Sequence, residues 1–569
     1  MLIPIRRRFI RVQGRGIHYL RAGDGPPVVL LHSAMSSACG ELPLMHRLAS
    51  DHTVFAFDNP GMGDSDPLPK RDAQVADAAN TLNATLMVLK MPRCPVYGSH
   101  TGGAVALELA RRHPERVSAL IMEGVTVFGA WETKFFLSED YMPPFPAIKN
   151  DGSHLFANWI KARDHFMWFP WSKRTTKNRV LWPFPPSDTV HAMFLEILRA
   201  GAAYRVLYGA VFKLDVRKAV AGLTVPATFV AAAHDPLFRH LDRLPRLKAN
   251  QRIVRYSADG VDPVGETARV LRGYRVKAKA SADAPFRPTP GVINRRYVDL
   301  VGGQILVRSA GEARNGRPLL LLHDGRASSR VFEPLMRALA RRRAVYAPDL
   351  PDNGASDSLA VRRPGIADYA DAVADTVVAL RVGPCDIYAV GASGAVALEL
   401  LARRIFAKAR VLLETPDFYT SSFARRLARE WVPPLKPQWD GAHLNRLWLM
   451  LRDEYAFWPW FDKSSTAACA VNVPTEWQEM HARVTDIMRS LPTYHRLTMA
   501  ALRYDWTTAL RRAGRRGVRL VATADDPRRP PTQAAARLTR LPEVAILPTA
   551  AEGKAGEVLR ILGARRKHA

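Results

Sequence analysis

The chain has 569 residues, 47% of them hydrophobic, and a formal net charge of +29. That length allows two domains, each large enough to bury a core, while apolar runs such as Pro27–Leu31 and Leu319–Leu322 fall well short of the roughly 20 residues a membrane-spanning helix needs. The positive charge suits attraction to nucleic acid, anionic membrane or an acidic protein, but the arginines lie in short scattered clusters such as 341–343 and 515–516. With no recognisable nucleic-acid motif, a solvated basic surface and no specific nucleic-acid partner are expected.

The chain contains itself twice. His32 and His323, Asp58 and Asp349, Cys94 and Cys385, Glu123 and Glu414, and Asp235 and Asp526 share one offset of 291 residues. A period this long is a domain duplicated in tandem, unlike the short periods of solenoids. The expected division is 1–276 and 292–569, joined by a linker at 277–291 that is rich in Ala, Ser and Pro, with the two halves packing against each other. Residues 1–12 carry Arg6, Arg7 and Arg8 without a long apolar stretch, so no secretory signal is expected. Cys39, Cys94, Cys385 and Cys469 show no metal spacing, which favours reduced thiols and a cytoplasmic location.

In chain order, each half opens with strand-like alternation and then an apolar strand ending in histidine, Val28 to His32 and Leu319 to His323. A second strand ends at Asp58 or Asp349 and leads into a loop punctuated by Gly and Pro, 58–66 or 349–357. Val75, Ala79, Leu82, Leu86 and Leu89 then recur at helical spacing, as do Ile366, Ala370, Val373, Val377 and Leu380. A strand through Tyr97 or Tyr388 passes by a glycine turn into a helix at 103–109 or 394–400. Strands alternating with helices predict an α/β fold in each half, a mostly parallel sheet flanked by helices.

The histidine at the first strand end, the loop 58–66, the turn Gly98-Ser99-His100-Thr101-Gly102-Gly103 and Asp235-Pro236 after the apolar strand 228–233 together resemble the α/β-hydrolase superfamily, over both halves nearly end to end. The resemblance implies two hydrolase-fold domains, each with a helical cap inserted over the site, at about 135–220 and 425–512. The family's elbow, G-x-S-x-G, exposes a serine on a strained strand-to-helix turn. Here the nucleophile position holds His100 in the first half and Gly391 in the second. Ser393 satisfies a loose pattern two residues late, where it reads as a helix N-cap or, less readily, as a nucleophile. The loops at 257–260 and 548–553, where the family carries its general base, contain no histidine, so the usual triad cannot be assembled in either half.

The remaining chemistry centres on His100, whose imidazole suits general acid, general base or nucleophilic work; the alternative is a histidine that merely fills the vacated pocket. Asp235 and Glu123 occupy the two places where the family carries its acid, so either is a candidate to orient His100. Backbone donors near His32, Ser33 and Thr101 are candidates for an oxyanion hole, although His32 also suits a loop-tying role. In the cap, Trp168, Trp171 and His191 either line an apolar pocket or form plain core, as do their counterparts around Trp458, Trp460 and His481. No metal or other cofactor is expected. The reading is a hydrolase of a small apolar ester-like molecule in the first half, with the second half degenerate. Two alternatives stay open: a non-catalytic small-molecule-binding or scaffold protein, and lyase-type acid/base chemistry on His100.

Overall fold

The computed structural model describes residues 3–563 except 181–182, 257–260, 275, 281, 284, 313–315, 404–405, 470–476 and 514–516. It forms two compact units, one made of Met1–Ala147 and Ala157–Phe286, the other of Ile148–Phe156 and Arg287–Ala569. The second unit therefore includes a short piece of the first repeat's insertion.

In the first unit the strands are β1 (Arg6–Val12), β2 (Arg15–Ala22), β3 (Pro27–Leu31), β4 (Thr53–Phe57), β5 (Cys94–Ser99), β6 (Val117–Glu123), β7 (Ala227–Ala232) and β8 (Gln251–Tyr256). They form one sheet in the order β1-β2-β4-β3-β5-β6-β7-β8. The hairpin β1–β2 is antiparallel and turns at Gln13-Gly14, both at positive φ, and β2 pairs antiparallel with β4. From β4 onward every pairing is parallel. Strands β3, β4 and β7 are buried along their whole length, which is why they read as continuous apolar runs: a parallel sheet is covered by helices on both faces.

The second unit repeats this with β9 (Asn294–Leu300), β10 (Gly303–Ala310), β11 (Leu319–Leu322), β12 (Val345–Pro348), β13 (Asp386–Val390), β14 (Val411–Glu414), β15 (Val518–Thr523) and β16 (Ala545–Leu547). Their order, β9-β10-β12-β11-β13-β14-β15-β16, is the same topology. Between β6 and β7 lie the helices Ala130–Phe136, Ser153–His165, Ser187–Ala200 and Tyr204–Phe212. Between β14 and β15 lie Ser421–Glu430, Ala442–Asp453, Gln478–Arg489 and Arg496–Ala501.

The helix Thr101–Arg112 is buried from Thr101 to Ala110, because it sits on the sheet and is itself covered by other helices. Two glycines permit that approach. A Cβ on Gly98 would lie 2.3 Å from the Gly102 carbonyl oxygen, and one on Gly102 would lie 2.3 Å from that of Leu31. The loops after β4 and β12 are built on their first residue. Asp58 accepts from the amides of Ala38 and Asp64 and pairs with His18 at 2.8 Å, while Asp349 accepts from Ser329 and Ala355 and pairs with Arg308 at 3.1 Å. Retention of this aspartate in both repeats thus has a structural cause. Among the described residues no helix is long and apolar enough to cross a membrane, and no group of three or more His, Cys, Asp or Glu side chains is placed to hold a metal ion.

Candidate functional site

The register of the first sheet brings the ends of its central strands level, with Leu31 opposite Gly98 and Ser99 opposite Glu123. Beyond that edge come His32, His100 and, after β7, Asp235. His100 is the residue between β5 and the helix Thr101–Arg112 and has φ 45° and ψ −106°. A non-glycine residue at positive φ stores roughly 1–3 kcal/mol of strain, held here by the amide of His100 donating to the Glu123 carbonyl at 2.8 Å and its carbonyl accepting from Ala104.

That conformation lifts the imidazole out of the sheet, and 37% of its side chain is accessible. Nε2 lies 3.2 Å from Asp235 Oδ2, and Asp235 is 9% exposed and fixed by the Leu237 amide at 2.7 Å. Gly124, at φ +65°, makes room for the ring: a Cβ there would lie 2.4 Å from Nε2. Burial alone would pull the imidazole down. The Asp235 carboxylate opposes it through charge and hydrogen bonding, Glu123 and Glu41 add to it, and the net result lies above the ordinary histidine value. Asp235 is raised by burial but pulled below the ordinary range by the imidazole.

Glu123 does not contact the imidazole. Its Oε2 accepts from the Tyr97 hydroxyl at 2.6 Å, and burial raises it. Beside it stands Glu41, a residue absent from the sequence-based candidates. Glu41 is 7% exposed and 3.5 Å from the Ser99 hydroxyl; burial, reinforced by repulsion from Glu123, pushes it up to about 8. One signal could have found it. The second repeat has Phe332 at the same offset, so an acid stands in one copy where the other holds core.

Both ring nitrogens of His32 are engaged by the backbone: Nδ1 donates to the Ser33 carbonyl at 2.6 Å and Nε2 accepts from the Asn59 amide at 2.9 Å. His323 is held identically by Asp324 and Leu350. This geometry ties two loops together and leaves neither nitrogen for a ligand. Thr101 is buried at the head of its helix, where a first-turn amide has no intrahelical acceptor. Trp171 packs in the main core and donates its indole N–H to the Tyr141 carbonyl. Trp168 bridges to Arg179, and His191 lies near Trp159 and Phe194. None of these contacts joins the His100–Asp235 pair. The loop 257–260 lies outside the described residues.

The second unit fills the corresponding space differently. Gly391 takes the turn at φ +58°, and a Cβ there would lie 2.2 Å from Asp324 Oδ1. That oxygen accepts from the Ala392 amide at 3.0 Å, the counterpart of the Thr101 amide. Arg528 clamps Asp324 at 3.1 Å and Asp526, the counterpart of Asp235, at 3.2 Å. Glu414 meets Tyr388 as Glu123 meets Tyr97, but is further neutralised by Lys554 at 2.9 Å. Ser393 opens the helix Ser393–Leu400 fully buried; its hydroxyl accepts from the Val390 amide behind it and donates to the Leu322 carbonyl at 2.8 Å. It braces the turn from below and presents no oxygen to solvent.

Comparison with known proteins agrees with this architecture. A family profile described as alpha/beta hydrolase fold matches residues 26–260, and one described as alpha/beta hydrolase family matches 319–555. The proline iminopeptidase of Xylella fastidiosa (strain 9a5c) is 27% identical over 133 residues, 23% of this chain and 42% of that protein. The cis-3-alkyl-4-alkyloxetan-2-one decarboxylase of Shewanella oneidensis is 29% identical over 136 residues, 23% of this chain and 43% of that protein. The chain thus spans about two fifths of the length of these curated relatives. Among solved structures, Cfl2 of Burkholderia cenocepacia aligns with 24% identity and a TM-score of 0.37, covering 48% of this chain and 96% of that one. Epoxide hydrolase A of Mycobacterium thermoresistibile aligns with 18% identity and a TM-score of 0.38, covering 48% and 98%. With both repeats matched by hydrolase profiles and both folded on the same sheet topology, the chain belongs to the alpha/beta hydrolase family as two hydrolase-fold domains in tandem.

Proposed function

We propose that this is a cytoplasmic enzyme whose first domain, 1–276, hydrolyses a small apolar ester-like molecule, and whose second, 292–569, beyond the linker 277–291, is catalytically inactive. The observation that carries the reading is the His100–Asp235 pair at 3.2 Å, raised on a strained elbow and open to solvent. An imidazole that donates its Nε2 proton to a carboxylate presents the Nδ1 lone pair outward. It takes a proton from water as the hydroxyl attacks the carbonyl, then returns it to the departing alkoxide, with Asp235 stabilising the imidazolium in between. Backbone amides near Ser33 and at Thr101 hold the oxyanion. The second domain supports that assignment, since its matching amide, Ala392, already holds a carboxylate oxygen. In the first domain Ser33 stands where Asp324 stands in the second, so no such side chain competes there. The insertion 135–220 serves as the cap, in which Trp171 packs as core, and 425–512 is the degenerate equivalent.

A second reading, lyase-type chemistry, is favoured by Glu41. A carboxyl pushed up to about 8 still carries a proton at neutral pH, and one relative is named a decarboxylase.

The test is hydrolysis of p-nitrophenyl esters of short to medium chain by wild type, His100→Ala, Asp235→Asn and Ser393→Ala, each checked for folding by circular dichroism. Turnover lost in the first two variants and kept in folded Ser393→Ala supports the assignment. Turnover unaffected by His100→Ala refutes it, and saturable ester binding without turnover, also unaffected, identifies a binding protein.

A further inference from the structure

The second unit carries a cavity of about 730 Å³ at the sheet edge opposite Gly391, where β11, β13 and β14 begin. Its polar lining is Arg317, Arg343, Lys408 and Arg410 around a single carboxylate, Asp386, with Leu559 and Leu562 on the wall. The foundation is buried and ordered. Asp386 accepts from the Arg343 guanidinium at 2.8 Å and from the Arg410 amide at 3.0 Å, and the Arg343 and Asp386 side chains are 9% and 6% exposed.

Asp386 is thereby used up, and no carboxylate among the described residues forms an ion pair with Arg317, Lys408 or Arg410. Two of these cations are nonetheless held in place. Arg317 donates to the Lys408 carbonyl and Arg410 to the Leu562 carbonyl, each through Nη1, and neither guanidinium makes a further hydrogen bond among the described residues. Pre-oriented forks of this kind match phosphoryl oxygens. The first repeat is an internal control: at the same offset it has Pro26, His52, Pro95, Val117 and Ala119. The fold therefore does not require these charges, and they were assembled in one copy only.

We propose that this cavity binds a pyrophosphate-bearing small molecule. Three uncompensated cations complement two linked phosphoryl groups, which carry roughly −3 at neutral pH, and the volume lies within the range of about 300–1,000 Å³ typical of small-molecule sites. Leu559 and Leu562 offer an apolar wall for the organic part. The site lies at the other edge of the sheet from the elbow position, so it is independent of the hydrolase chemistry proposed above.

The experiment is isothermal titration calorimetry of the full-length protein with inorganic pyrophosphate, sodium sulfate and a short single-stranded RNA. Wild type is compared with Arg317→Gln, Lys408→Gln, the double variant and His100→Ala. Arg317 and Lys408 are exposed, so the variants are expected to fold, and their thermal unfolding checks this. Saturable one-to-one pyrophosphate binding is expected, stronger than that of sulfate, weakened roughly tenfold or more by each Gln substitution and unchanged by His100→Ala. Absence of binding, equal binding by the double variant, or RNA binding without pyrophosphate binding overturns the proposal; the last identifies a surface for a macromolecular polyanion.

Discussion

Glu41 makes the stability of the first domain depend on pH in a direction opposite to that of most carboxylates. Its carboxyl is raised from 4.5 to about 8, by burial first and by Glu123 second, so the folded protein holds a proton that the unfolded chain releases above pH 4.5. The stability this supplies is fully present below 4.5 and is lost as pH rises through about 8. Each pH unit in that window is worth about 1.4 kcal/mol, so about 4 kcal/mol is lost between pH 5 and pH 8.5; the group is 7% exposed, so solvent screening reduces this little. Glu41→Gln keeps the shape and removes the ionisation. Any cost of the altered contact with Ser99 is independent of pH, whereas the advantage of the variant grows with pH. At about 2–4 °C per kcal/mol for a domain of this size, calorimetry at pH 5, 7 and 8.5 should show the gap between variant and wild type widening by roughly 10 °C in the transition of the first domain. A gap that stays constant from pH 5 to 8.5 refutes the reasoning, because it means that Glu41 is ionised in the folded state or already solvated.

Asp235→Asn removes the anion that holds the imidazole above its ordinary value; ester turnover should fall by roughly 10³–10⁴. The limb of the rate profile that rises as the base loses its proton should also move to lower pH, which a kcat/KM profile measures. Gly124→Ala forces a methyl to 2.4 Å from His100 Nε2 at a backbone φ of +65°. Activity should drop while circular dichroism stays native, and the domain should lose about 1–3 kcal/mol by chemical denaturation. Arg528→Ala leaves Asp324 and Asp526 facing each other without their shared cation. The second domain should lose about 3–5 kcal/mol with ester turnover unchanged, and a fall in turnover would locate chemistry in that domain.

Much of this molecule is legible in its sequence. The offset of 291 residues is a property of the string, and apolar runs alternating with helical periodicity predict a parallel sheet because local patterning already encodes which faces are covered. The elbow is placed at His100 by the resemblance of the turn 98–103 to that of the α/β-hydrolase family, and the structure adds why glycine stands at 98 and 102: strand and helix approach too closely there for a side chain. The chemistry of the site was not legible in the same way. Asp235 and Glu123 are both candidates to partner His100 on the sequence, and only the fold brings one to 3.2 Å while turning the other onto Tyr97. Glu41 is absent from the sequence-based candidates, and its perturbation arises where burial, Ser99 and Glu123 meet around it. Arg528, 204 residues from Asp324, gave no local sign that it would neutralise the second elbow. Periodicity reports which side of an element is buried. Which charges meet inside is decided by desolvation and by contacts between distant segments, and these exist only once the chain has folded.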